Sequence, residues 1–203
     1  MSTKNYPVGY QIPKYNVLLI SCMDLRLLDN IVHFMEHENL TNRYDQYVMA
    51  GASIGALFET ATPEDDLIND SKYYGWKNGL FNHIDIAVDL HDIRDIYIME
   101  HQHCGAYKAF LKDGRGDYDV HGSAKELKDH SQYSLRLSEL LQAYFPKRKS
   151  ELIADENNQA DKFGKEINIH CFMMDLRGDV KLLHTTAAFE ETEKSSSTVN
   201  NPS

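Results

Sequence analysis

The chain has 203 residues, enough for one domain with a substantial core and short for two. Its formal net charge of −10 argues against nucleic acid or an anionic membrane as partner, because both are bound through clustered Lys and Arg. No apolar stretch approaches the ~20 residues that span a bilayer, no N-terminal segment has the build of a secretion signal, and three cysteines do not make a disulfide framework, so a reducing cytoplasm is the expected setting.

Residues 1–14 contain Pro7 and Pro13 without a clear period, and read as an irregular arm lying across the domain or a partner subunit. Residues 15–21 form the first expected strand; its apolar residues run consecutively, as in a central parallel strand covered on both faces. Residues 27–38 place Leu28, Ile31, Val32 and Met35 at helical spacing. A second strand is expected over 46–50, with a small-residue turn at 51–55 and a polar, acidic excursion over 60–72. Residues 79–92 predict a second helix and 93–99 a third strand.

A short helix is expected over 106–112, and a long one over 123–145, ended by Pro146. The basic run Lys147-Arg148-Lys149 reads as a solvated loop, and 150–165 as looped or partly helical. Residues 167–173 and 180–184, joined by Gly178-Asp179, predict a β-hairpin at the edge of the sheet. The residues from about 190 to 203 are mostly Glu, Ser, Thr and Asn without a hydrophobic face, and read as a disordered tail behind a single domain over 15–189. Alternating strands and helices give an α/β fold with a mostly parallel central sheet flanked by helices.

In such sheets ligands gather outside the carboxyl ends of the strands. Two clusters leave that end: Ser21-Cys22-Met23-Asp24-Leu25-Arg26 after the first strand, and His101-Gln102-His103-Cys104-Gly105 after the third. Cys22, His101 and Cys104 make a Cys2His set, which suits zinc and leaves a fourth position for water or a nearby carboxylate. Asp24 has two conflicting roles open to it. It can fill the fourth position and close the site, or it can pair with Arg26 and accept a hydrogen bond from a zinc-bound water. His103 points elsewhere if both of its neighbours bind one ion. Cys171, in the middle of a strand, reads as a core thiol. Any of His103, His33, His37, His91 and His121 could carry protons, and nothing in the sequence chooses among them.

The two clusters resemble the signature motifs of the β-class carbonic anhydrases, and the similarity runs from about Val17 to Ala109. Ile84-Asp85-Ile86-Ala87-Val88 and Ala50-Gly51 also resemble that family. The resemblance implies a Rossmann-like sheet of four parallel strands with an antiparallel edge strand. It implies zinc on Cys22, His101 and Cys104, with Asp24 and Arg26 as the catalytic dyad and Asp24 on the metal in a closed state. The expected function is reversible hydration of carbon dioxide to bicarbonate by a zinc-bound hydroxide, in a homodimer or multiple of dimers with the site near the subunit boundary. The alternatives are hydrolysis of carbonyl sulfide or carbon disulfide, and a catalytically silent zinc-binding regulatory domain. The chain departs from the family pattern at Val48-Met49, where Arg-Asn is common, at Ala52-Ser53, where Asn is common, and at Glu100, where Gly is frequent.

Overall fold

The computed structural model describes residues 4–58, 66–68, 70–156 and 159–187; the expected tail and part of the expected excursion at 60–72 lie outside these. Strands β1 (Asn16–Cys22) and β3 (Ile93–His101) are buried almost throughout, for the reason their sequences suggest: each is covered on both faces. In β1, Leu18 and Ile20 face one core while Val17 and Leu19 face the other. In β3, Ile96 and Ile98 join the first core, and Tyr97 and Met99 the second.

Strands β2 (Tyr44–Met49), β4 (Asn168–Met174) and β5 (Val180–Thr185) complete a five-stranded sheet in the order β2-β1-β3-β4-β5. The first four strands are parallel, and β5 runs antiparallel to β4 as the edge strand. The fold is therefore the α/β class expected from the sequence, with the predicted hairpin at its edge.

Helix α1 (Leu28–His37) covers the second core with Ile31, Phe34 and Met35. Opposite, the first core is covered by α2 (Ser53–Ala56), α3 (Trp76–His91), α4 (Gly105–Phe110) and α6 (Ser123–Ala154), with short α5 (Tyr118–His121) and α7 (Ala160–Phe163) beside them. The N-terminal segment lies across its own domain: Asn5 accepts from the Val180 N–H at 2.8 Å, and the Tyr10 hydroxyl donates to Glu38. Tyr6 and Tyr10 extend the second core.

Two expectations are corrected. Pro146 does not end the long helix, which continues to Ala154. A proline removes one N–H and clashes with the carbonyl four residues back, but Pro146 and Gln142 are both exposed, on a face where water can replace the lost partner. Phe145 before it and Leu152 after it are both buried in the first core, so tertiary packing holds the helix through the break. The run Lys147-Arg148-Lys149 is accordingly helical and not a loop, with Arg148 paired to Asp85 at 2.7 Å. Restoring the missing hydrogen bond with Pro146→Ala is expected to stabilise the protein by about 2 kcal/mol, part of proline's ~3 kcal/mol interior cost being offset by its stiffening of the unfolded chain. A higher urea midpoint with an unchanged slope is the check.

Candidate metal centre

Because β1 and β3 are adjacent and parallel, with Ser21 opposite Met99, Cys22 and His101 emerge at the same end of the sheet. Gln102 N–H then bonds the Met174 carbonyl at 2.9 Å, His103 turns the chain with φ 54°, and Cys104 follows as the N-cap of α4. Cys22, His101 and Cys104 are all buried, and their ligand atoms lie within 4.8 Å of one another. Among the described residues they form the one such cluster of metal-ligating side chains.

The donor set fits a tetrahedral metal ion. Two thiolates on one zinc at ~2.3 Å stand ~3.8 Å apart, and the two sulfurs are 3.9 Å apart. His101 Nδ1 lies 2.9 Å from the Gln102 carbonyl, which makes Nδ1 the N–H donor and leaves the Nε2 lone pair free. That Nε2 is buried without a hydrogen-bond partner, a costly state unless something else binds it.

The protonation preferences agree with this reading. A hydrogen bond from Cys104, opposed by burial and helped by His101 and the Gly51 N–H at 3.3 Å, draws the Cys22 thiol down to about 4. Sharing that proton with Cys22, together with burial, pushes Cys104 well up. Burial would lower His101, but the neighbouring Cys22 sulfur outweighs it and raises the imidazole.

Asp24 is held away from the sulfurs by Arg26. The guanidinium donates through Nε to Oδ1 at 2.8 Å and through Nη2 to Oδ2 at 2.6 Å, and the Arg26 backbone N–H adds a bond at 3.0 Å. These bonds, against some burial, draw the Asp24 carboxyl down to about 2. Arg26 is itself anchored on the His103 carbonyl at 3.0 Å. Asp24 Oδ2 remains 4.0 Å from His101 Nε2, facing the cluster without entering it. In the structure Asp24 is paired with Arg26.

An open hollow of about 530 Å³ lies against this group, its walls formed by Leu25, Ala50, Ala106, Ala109 and Phe110 beside Cys22 and Asp24. A second hollow of about 490 Å³ between α3 and α6 holds charges that pair with one another, such as Arg148 with Asp85 and Glu151. His103 is half exposed and lies 3.6 Å from Asp119, outside the cluster. Cys171 is fully buried, its thiol pushed up to about 12 by burial, as a core thiol should be. His33, His37, His91 and His121 line neither hollow.

Sequence reasoning does not reach the residues that grip this group from behind. Glu100 Oε1 accepts from the Ser53 N–H at 3.1 Å and from the Ser53 hydroxyl, and Oε2 accepts from the Tyr107 hydroxyl at 3.0 Å. His130 Nδ1 lies 2.7 Å from Oε2, and Glu126 accepts from the His103 N–H. The sequence signal is Glu100 itself, a carboxylate directly after the apolar run Ile96-Tyr97-Ile98-Met99, where charge is rare unless paired.

No family model matches the sequence. An uncharacterized protein of Rickettsia bellii is 30% identical over 134 residues, covering 66% of this chain and 72% of that protein. The uncharacterized protein RC0076 of Rickettsia conorii is 31% identical over 134 residues, covering 66% and 63%. Among solved structures, a mutant of the β-carbonic anhydrase CafD of Aspergillus fumigatus is similar at 16% identity, covering 86% of this chain and 91% of that one, with a TM-score of 0.46. A tetrameric β-carbonic anhydrase of Sordaria macrospora is similar at 18% identity, with coverage of 88% and 85% and a TM-score of 0.40. At scores below 0.5 these likenesses assign no residue a role.

Proposed function

Since the chain belongs to one family with the uncharacterized protein of Rickettsia bellii, we propose its function from its own site: zinc-dependent, reversible hydration of carbon dioxide to bicarbonate. The observation that carries this is the buried Cys22, His101 and Cys104 group, with an orphaned imidazole nitrogen, beside a carboxylate that a guanidinium keeps off it.

Cys22, Cys104 and His101 would hold the zinc. When bound it supplies a Lewis acid that lowers the pKa of water to about 7. Asp24 does not take up the proton that water loses. The Arg26 bonds hold its carboxyl well below the usual carboxylate range, so it stays ionised at neutral pH. Its Oδ2 instead accepts a hydrogen bond from the attacking water and fixes where the oxygen lone pair points, while Arg26 fixes Asp24. The proton leaves for bulk buffer. Leu25, Ala106, Ala109 and Phe110 give carbon dioxide an apolar face to lie on, and the same walls disfavour the bicarbonate anion, which promotes its release.

The proposal includes association of two copies, with Met23, Leu25 and Leu28 beside the site and Val48 on the edge strand β2 all exposed and unusually apolar for a free surface. Among the described residues no helix is long and apolar enough to cross a membrane, and a cytoplasmic setting is part of the same proposal.

Stopped-flow hydration by zinc-loaded protein is expected to give a kcat/KM of at least ~10⁴ M⁻¹s⁻¹, the lower range for enzymes. A rate no higher than that of a Cys104→Ser control at several pH values would remove the proposal. The apolar walls also suit carbonyl sulfide or carbon disulfide, and release of hydrogen sulfide by a preparation inactive on carbon dioxide would favour that second reading.

A further inference from the structure

Glu100 is 1% exposed and next to the ligand His101, yet its side chain turns away from the candidate ligands and ties together the segments that carry them. A carboxylate offers about four acceptor sites. Here they face the Ser53 N–H, the Ser53 hydroxyl, the Tyr107 hydroxyl and His130 Nδ1. Ser53 opens α2, just after the turn that contains Gly51, whose N–H donates to Cys22 Sγ at 3.3 Å. Tyr107 sits in α4, whose N-cap is Cys104. His130 lies against the Tyr107 ring, with centroids 3.7 Å apart, and backs the carboxyl from α6. One turn earlier on the same helix, Glu126 takes the His103 N–H.

The backbone between Cys22's donor and Ser53 is not relaxed. Gly51 has φ 76°, and a Cβ there would sit 2.8 Å from Ala106 of α4, so the turn and that helix are pressed together. Ala52, without glycine's freedom, is held at φ 42°. Such a conformation persists only where the surroundings over-determine it, and the two bonds from Ser53 to Glu100 are the adjacent constraint.

We propose that Glu100 is a positioning residue for the metal centre: through Ser53 it sets the Gly51 N–H against Cys22, and through Tyr107 it sets the start of α4 and with it Cys104. This rests on the zinc reading of the Cys22, His101 and Cys104 group but not on the reaction assigned to it. Partners behind the ligands typically change metal affinity 10- to 100-fold. Glu100→Gln should largely rescue the device. Its amide oxygen still accepts from Ser53, and its NH2 can face a Tyr107 hydroxyl that turns to accept and a His130 whose proton moves to the otherwise unpartnered Nε2.

The test uses the full chain stripped of metal. Zinc affinity is measured by competition with a chromophoric chelator, the cobalt(II) form is examined by visible absorption, and stability is read as the urea midpoint. Tyr107→Phe and Ser53→Ala are expected to bind zinc 10- to 100-fold more weakly, with altered cobalt bands, and Glu100→Gln to stay within a few-fold of the parent. If Glu100→Ala does not fold, Tyr107→Phe and Ser53→Ala decide the matter. Lower urea midpoints with zinc affinity within twofold of the parent and unchanged cobalt spectra would show a merely structural role and overturn the inference, as would a parent protein that binds no metal. Hydration activity is not read, so weakened variants of a zinc-binding but inactive parent would support the inference while removing the proposed reaction.

Discussion

Replacing Cys104 by serine is expected to weaken zinc binding by about 100- to 1,000-fold and to abolish hydration at ordinary zinc concentrations. Binding at four-ligand zinc sites is worth ~10–16 kcal/mol, so one ligand carries roughly 3–4 kcal/mol. A serine hydroxyl does not ionise near neutrality and cannot replace the thiolate. Serine is close to cysteine in size and its hydroxyl can keep the contact with Cys22 Sγ, so the change should leave the fold intact, and near-ultraviolet circular dichroism matching the parent accompanies the expected result. Parent-like zinc affinity in Cys104→Ser would take Cys104 out of the ligand set.

The same variant has a signature in pH. Cys22, drawn down to about 4, meets the metal already ionised, whereas Cys104 is held up and must release a proton when zinc binds. Apparent affinity in the parent should therefore rise with pH through the neutral range by at least about tenfold per unit, one proton being displaced per ion. In Cys104→Ser that dependence should shrink, because the thiol that gives up the proton is gone. Calorimetric titration in two buffers of different ionisation enthalpy counts the protons directly.

The metal group is legible in the sequence because each half follows a run of consecutive apolar residues. Val17-Leu18-Leu19-Ile20 and Ile96-Tyr97-Ile98-Met99 demand burial on both faces, and burial on both faces demands parallel neighbours that end together. Pro146 was not legible, because the rule against interior proline is local and the burial of Phe145 and Leu152 that overrides it is tertiary. The grip of Ser53, Tyr107 and His130 on Glu100 is hidden for a related reason. Its members come from four elements without common spacing, and only their convergence gives them meaning. Ala106, Ala109 and Phe110, at helical spacing on α4, could have signalled an apolar wall, but they carry no chemistry that marks them as part of a site.

Arg26→Ala is expected to lower hydration about 100-fold while zinc stays bound, the scale on which misplacing an orienting group slows a reaction. The effect at neutral pH would not come from charge. Without its guanidinium partner Asp24 rises from about 2 toward an ordinary carboxyl near ~3.9, and both values leave it ionised at pH 7. What is lost is restraint. The two guanidinium bonds hold Asp24 off the cluster, and its Oδ2 already stands 4.0 Å from His101 Nε2. Released, the carboxylate closes the site as a fourth ligand, so a chelator should strip zinc no faster than from the parent even as turnover falls. Asp24→Asn replaces the carboxylate that would close the site by a neutral amide and one acceptor oxygen by an NH2 donor, so it too should be slow. The double variant should then be no slower than Asp24→Asn alone, because two residues that act as one unit are not additive. In the metal-free protein the Arg26 bonds keep the Asp24 carboxyl ionised well into acid, whereas in metal-free Arg26→Ala it should titrate in the ordinary carboxyl range. Turnover by Arg26→Ala within threefold of the parent at pH 7 would show that Asp24 needs no such restraint.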